Sequence, residues 1–283
     1  MSKLKWGLVL AAAFFTTAVA AGSIGGVVGS AVARSEVRSR SPEAGTEVLV
    51  NSDVLGESVS LRVFRPAGLP EATGPMPVLW VSDGSHQAGI HLSTIESLWR
   101  LELIPPMTVV AIPSTSAGRS LDFRPPQEGS EATNAEAFLA FIRDEAMPAV
   151  AERLEVEAPH VFVGYSLGGL FASWAFTQGP DVFDGWIAVS PSWWYGEVMM
   201  EAELSGFLDA NPEAASFLYT SLGDAEGSGM MRAFERVNRA VGDAAGEGLT
   251  WVHEITPGAD HGSNPALSSA RALQAFWSWH AAR

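Results

Sequence analysis

The chain has 283 residues with 17 Lys and Arg against 32 Asp and Glu, and its formal charge of −15 excludes a basic nucleic-acid binder on electrostatic grounds. At 47% hydrophobic and 17% charged residues it can bury a sizeable core and does not read as disordered. The absence of cysteine excludes disulfide frameworks, zinc–thiolate sites, thiol nucleophiles and a lipoprotein anchor, and leaves the compartment open.

Lys3 and Lys5 precede an uncharged run over residues 6–33, a basic flank and apolar stretch that read as export targeting. Ala18-Val19-Ala20 and Ala31-Val32-Ala33 fit the small-x-small cleavage rule, but the run is also long enough to span a bilayer. A cleaved signal peptide and an uncleaved membrane anchor through residues 6–33 both stand. Gly22/Gly26 and Gly25/Gly29 have GxxxG spacing, which reads either as helix packing or as small residues near a cleavage site. The expected organisation is a targeting segment with a short linker over 1–40 and one α/β domain over 41–283, exported to the periplasm or beyond. Past residue 40 the chain carries 12 arginines and no lysine against 31 acidic residues.

In chain order, alternating apolar residues over 47–50 and 58–64 predict an antiparallel hairpin that opens the sheet. Buried strands are predicted at 76–81, 107–112, 160–165, 185–189, 216–221 and 249–255. Helices are predicted at 92–101, 134–152, 167–177, 229–241 and 265–280, with Asn134 and Asn264 as N-caps. Such alternation implies a mostly parallel central sheet with helices on both faces and a ligand site beyond the carboxyl ends of the strands. Residues 196–215 contain no separate lid domain, which predicts an open site.

The strand at 160–165 runs into Gly164-Tyr165-Ser166-Leu167-Gly168 and then a predicted helix, which is the nucleophile-elbow pattern. A serine at a sharp strand-to-helix turn is lifted clear of the sheet, and flanking glycines let the backbone pass without Cβ clashes. The plainer reading is a glycine-rich turn that packs a helix on a strand. A serine hydroxyl needs a base, which in this order of elements follows an acid. His261 lies on a turn-rich loop after the last strand, where that base belongs. His253 and His280 fall in a strand and a terminal helix, His160 begins the strand below the elbow, and His86 and His91 are candidates to line a pocket.

The loop Leu222-Gly223-Asp224-Ala225-Glu226-Gly227 offers two carboxylates. Gly-x-x-acid spacing selects Glu226 to hold the imidazole in its productive tautomer, with Asp224 the alternative acid or a helix cap. An oxyanion hole needs two backbone N–H groups, expected from Leu167 and from Ser85 in Ser82-Asp83-Gly84-Ser85. In that loop Asp83 reads as a structural tie. Trp193, Trp194 and Tyr195 either wall a substrate pocket or pack the core. The run Arg119 to Pro125 reads as a loop clamped by an internal Arg/Asp pair, or as an anion site. No metal-ligand spacing is present and no cofactor is expected.

These residues resemble the esterase family of α/β-hydrolases that includes enterochelin esterases, feruloyl esterases, S-formylglutathione hydrolase and the mycolyltransferases. Four segments carry the resemblance: Asp83-Gly84-Ser85, the stretch Arg119 to Pro125, the elbow with Ser190-Pro191-Ser192-Trp193-Trp194, and Asp260-His261-Gly262-Ser263. The resemblance implies an α/β-hydrolase fold and a serine esterase with Ser166 as nucleophile and His261 as base, acting on a small-molecule ester. Asp260-His261-Gly262 places the siderophore esterases as the nearer branch. The acid is where the match is loosest, since some relatives work with a serine and histidine alone. Transfer of the acyl group to an acceptor, or a non-catalytic envelope protein on the same fold, are the alternatives.

Overall fold

The computed structural model describes residues 45–70, 73–127, 132–195, 197–213 and 215–283, so the targeting segment predicted over 1–40 lies outside it. Alternation of buried and exposed residues makes β1 (Thr46–Ser52) and β2 (Glu57–Phe64) the expected antiparallel hairpin. There follow β3 (Met76–Val81), α1 (Gly84–Arg100), β4 (Thr108–Ala111), the short α2 (Arg119–Asp122), α3 (Ala135–Phe141) and α4 (Met147–Arg153). The chain continues through β5 (Val156–Tyr165), α5 (Leu167–Gln178), β6 (Gly185–Val189), α6 (Glu197–Ala210), β7 (Ser216–Gly223), α7 (Ser228–Ala244), β8 (Leu249–Thr256) and α8 (Asn264–Ala281).

The eight strands form one sheet in the order β1-β2-β4-β3-β5-β6-β7-β8. β2 joins β4 antiparallel, and every pair from β4 to β8 is parallel. This is the α/β-hydrolase type of architecture. Strands β3, β4, β6 and β7 and the second half of β5 are almost wholly buried because helices cover both their faces. One face packs on α1 and α8, the other on the layer from α3 to α7. The second face holds most of the aromatic core, with Phe123, Phe138 and Phe171 in mutual ring contact and Phe162 against Phe171. Each such fully buried ring contributes about 1.5–3 kcal/mol.

Several predicted boundaries are corrected. Helix α1 begins at Gly84, not at residue 92, because its buried stripe includes Gln87 and His91, polar residues that hide the helical period. The helix predicted over 134–152 is interrupted by one π turn, Ile142–Ala146, just before Pro148, which has no N–H to continue the ladder. Neither predicted asparagine caps through its side chain. Asn134 turns back to Asp122 Oδ1 (2.8 Å) and Thr115 Oγ1 (3.3 Å), while Asn264 lies inside α8 after the N-cap Ser263. Helix α6 was not predicted; it packs against α5 and α7 and buries Met200, Leu204 and Leu208, so it belongs to the helical layer. Among the described residues no helix is long and apolar enough to cross a membrane, and no group of three His, Asp or Glu is placed to hold a metal ion.

Candidate active site

β5 ends at Tyr165 and α5 begins at Leu167, so the whole reversal falls on Ser166, held at φ +60° and ψ −116°. The glycines make that turn sterically possible. A Cβ on Gly164 would stand 1.9 Å from the Gly168 carbonyl oxygen, and one on Gly168 would stand 2.4 Å from Ser82 Oγ. The Ser166 N–H donates to Val189 O (3.0 Å), tying the turn to β6.

The structure brings Ser166, His261 and Glu226 into one chain of hydrogen bonds. His261 Nδ1 lies 2.8 Å from Glu226 Oε2 and Nε2 lies 3.1 Å from Ser166 Oγ. A carboxylate only accepts, so Nδ1 carries the proton and Nε2 is free to accept from the serine hydroxyl. The Glu226 side chain is fully buried, whereas that of His261 is 41% exposed, so the open end of the chain faces solvent. Burial alone raises the Glu226 carboxyl. Hydrogen bonds from His261, from Ser190 Oγ (2.6 Å) and from the Gly223 N–H (2.9 Å) outweigh that effect and hold it below its ordinary value.

Asp224, the other candidate acid, points away. Its Oδ1 accepts the Gly258 N–H (2.8 Å), which braces the loop after β8. That loop is further fixed by the Ala225 N–H on Ala259 O (2.9 Å) and by a turn in which Asp260 Oδ1 accepts the Ser263 N–H (2.8 Å). Asp260 thus shapes the turn that presents His261. Tyr165, just before the elbow, donates its hydroxyl to His261 O (2.7 Å) and lays its ring 4.9 Å from the imidazole. Burial first, then the Glu226 charge, push that phenol up to about 12, so it remains a donor.

Leu167 opens the 12-residue helix α5, where first-turn N–H groups lack intrahelical acceptors. Ser85, in the first turn of α1, lines a cavity of about 420 Å³ with Glu47, Arg62 and Pro113. Ser82 and Asp83 are the part of the preceding loop set against the elbow helix; Asp83 has φ +54° and its Oδ2 is 3.7 Å from where a Gly168 Cβ would stand. The internal Arg/Asp pair expected in the run Arg119 to Pro125 is not formed. Arg119 Nε donates to Asp83 Oδ1 (2.7 Å) and its Nη2 to Tyr165 O (3.3 Å), while buried Asp122 accepts from the Thr115 N–H and hydroxyl. The two are three residues apart, close enough to pair, but the buried Asp122 oxygens are taken by Thr115 and Asn134 and the Arg119 guanidinium by Asp83 and the Tyr165 carbonyl.

The aromatic run divides. Trp193 is fully buried, stacks 5.5 Å from Phe234 and donates Nε1 to Ser173 Oγ (3.0 Å), so it is core and not a pocket wall. Trp194 is 54% exposed, and Tyr195 is half-buried with its hydroxyl accepting from Arg124 (3.2 Å). Of the other histidines, His91 is corrected from pocket candidate to core, at 3% exposure, while His86 is exposed. His253 stacks on Trp251, His280 on Phe276, and His160 Nδ1 accepts from Trp80 Nε1 (3.1 Å). Sequence reading passed over Ser190 and Ser192, whose signal was their place on the loop after the strand next to the elbow. Ser192 Oγ is 3.2 Å from Ser166 Oγ, and its N–H donates to Ser166 O (2.9 Å).

Residues 52–218 match a family model described as "Putative esterase". A curated relative, the siderophore triacetylfusarinine C esterase of Aspergillus fumigatus, is 31% identical over 151 residues, 48% of this chain and 51% of that protein. The match thus spans about half the length of that relative. Among solved structures, the siderophore hydrolase EstB from Aspergillus nidulans superposes with a TM-score of 0.69 at 22% identity, covering 83% of this chain and 94% of that one. An IroE-like serine hydrolase from Shewanella oneidensis superposes with a TM-score of 0.69 at 19% identity, covering 83% and 80%.

Proposed function

The chain belongs to this esterase family, and on that premise we propose that it is a serine carboxylic-ester hydrolase acting on siderophore-type esters. The observation that carries the mechanism is the hydrogen-bonded series Ser166, His261, Glu226 at the turn beyond β5. Ser166 Oγ attacks the ester carbonyl while its proton passes to His261 Nε2. The buried Glu226 carboxylate stabilises the imidazolium so formed. The Leu167 N–H donates to the oxyanion, with a second amide from the loop containing Asp83 and Ser85. Collapse expels the alcohol with the proton from His261, and water then repeats the sequence on the acyl-enzyme, releasing the acid and restoring Ser166.

The substrate class rests on the named activity of the curated relative and on the Asp260-His261-Gly262 run. Trp194 and Tyr195, exposed and half-buried, follow Ser192, whose hydroxyl lies 3.2 Å from that of Ser166, and suit a planar or acyl group. Lys3, Lys5 and the uncharged run 6–33 support an exported enzyme, cleaved or held at a membrane.

The test is labelling of the folded protein with a fluorophosphonate, mass spectrometry of the modified peptide, and hydrolysis of a panel from acetyl esters to a siderophore lactone. Label on Ser166 is expected, with Ser166→Ala reducing kcat by roughly 10⁵–10⁶. No label on folded protein, or undiminished turnover by Ser166→Ala, overturns the hydrolase reading. Product analysis with an alcohol acceptor present reads hydrolysis against acyl transfer.

A further inference from the structure

Behind the acid lies a polar cluster that the reaction as written does not use. Ser190 and Asn264 are both fully buried, and Ser190 is held at φ +45° by its N–H on Ser221 O (2.7 Å). Asn264 Nδ2 donates to Ser190 Oγ (2.8 Å) and to Ser221 Oγ (3.3 Å). Ser221 in turn donates to Ser268 Oγ (3.2 Å), and Ser268 to the Asn264 carbonyl (2.9 Å). Ser190 Oγ donates to Glu226 Oε1 at 2.6 Å.

A hydroxyl has one proton. Because Ser190 Oγ already accepts from the Asn264 amide, its proton is directed to Glu226. In this orientation the Asn264 Oδ1 is buried without a hydrogen-bond partner. The Asn264 N–H also reaches Asp260 O (3.0 Å), on the turn that carries His261. One residue therefore touches both the support of the acid and the turn of the base.

Given the reading of Ser166, His261 and Glu226 above, on which this rests, we propose that Ser190 and Asn264 are positioning residues that act through Glu226. Asn264 orients the Ser190 hydroxyl, and that hydroxyl holds Glu226 Oε1 so that Oε2 alone faces His261. The charged and titratable neighbours are few. His261 meets Oε2, Tyr165 of β5 lies against His261, and Arg119 and Asp83 reach Tyr165 from its far side. Asp224 and Asp260 on the flanking loops are engaged by Gly258 and Ser263.

The experiment measures kcat/KM for an aryl ester and the rate of fluorophosphonate labelling between pH 5 and 9. It uses the full chain, Ser190→Ala, Asn264→Asp, Glu226→Gln and the double variant Ser190→Ala with Glu226→Gln. A carboxylate stripped of a donor becomes more basic and pulls harder on the His261 proton, so the neutral imidazole is lost at higher pH. The acid limb of Ser190→Ala is expected to move up by roughly one pH unit, the share of one donor among those that depress a carboxylate. Asn264→Asp keeps the shape but sets a second acceptor on Ser190 Oγ, and moves the limb in the same direction. With Glu226→Gln already in place, Ser190→Ala is expected to change the rate by less than about twofold, as for residues acting as one unit.

An unmoved limb in both folded variants, or the same loss with and without Glu226, overturns the proposal and leaves Ser190 a packing residue. If Ser190→Ala fails to fold by circular dichroism, Asn264→Asp decides the matter alone; if that also fails to fold, the pair is structural and the proposal falls. Absence of label on Ser166 in the unmodified protein overturns the hydrolase reading instead, which separates the two failures.

Discussion

At the elbow, residues 164–168 set the direction of Ser166 through two close approaches, Gly164 to the Gly168 backbone and Gly168 to the Ser82 hydroxyl, that leave no room for a Cβ. Glu226 and His261 come from loops 35 residues apart and meet through side-chain hydrogen bonds braced by Ser190, Tyr165 and Asp224. The first region is sterically determined and tolerates almost no added atom. The second is a polar assembly in which a single donor or acceptor tunes charge. The proposed nucleophile is thus placed by shape, and its proposed activation by electrostatics. That difference predicts that damage to one region costs the fold, and damage to the other costs rate.

The largest effect is expected from Gly164→Ala, whose new Cβ would meet the Gly168 carbonyl at 1.9 Å. Backbone has to give way, so a loss above about 4 kcal/mol is expected, read as failure to recover folded protein or a collapsed thermal transition. A normally folded Gly164→Ala would break the distinction between the two regions. Glu226→Gln removes charge and keeps shape. It should fold with an unfolding temperature close to the parent while kcat drops by roughly 10³–10⁴.

Acid acts at a place outside both regions. Burial of His91 on α1 lowers its pKa to about 4. Between its ordinary value near 6.5 and that pH the unfolded chain takes up a proton that the folded chain refuses, so stability falls as pH drops through this window. The loss by pH 4 is on the order of 3 kcal/mol. His91→Gln should flatten the fall in unfolding temperature between pH 7 and 4.5, and an unchanged slope would remove His91 as its cause. The smallest effect is expected from Asp224→Asn, which keeps an acceptor for the Gly258 N–H. It should leave kcat within about threefold, whereas a loss matching that of Glu226→Gln would assign the acid to Asp224.

The parallel sheet, the hairpin and the elbow were legible because each is written in contiguous residues: runs of β-branched and aromatic residues, period-two alternation, and Gly-x-Ser-x-Gly. His261 was legible from its place after the last strand. The start of α1 was not, since Gln87 and His91 occupy its buried stripe, and α6 was not, since its apolar residues are distributed around the helix and mark no single stripe. Trp193 and Trp194 are adjacent in sequence, yet one is core and the other surface. Nothing in the pair itself distinguishes them; the face of α7 that receives Trp193 does.

By itself, then, the sequence determined the fold class, the nucleophile turn and the two acids and one base that compete to serve it, because local backbone preference and hydrophobic period act between near neighbours. Gly-x-x-acid spacing had already favoured Glu226; only the tertiary structure turned Asp224 to the Gly258 N–H, paired Arg119 with Asp83 in place of Asp122, and set Ser190 and Asn264 behind Glu226. Those choices depend on which loops converge at the ends of β5, β6, β7 and β8. A hydrogen bond reaches only about 3 Å, so its partners are settled by the packing of distant segments.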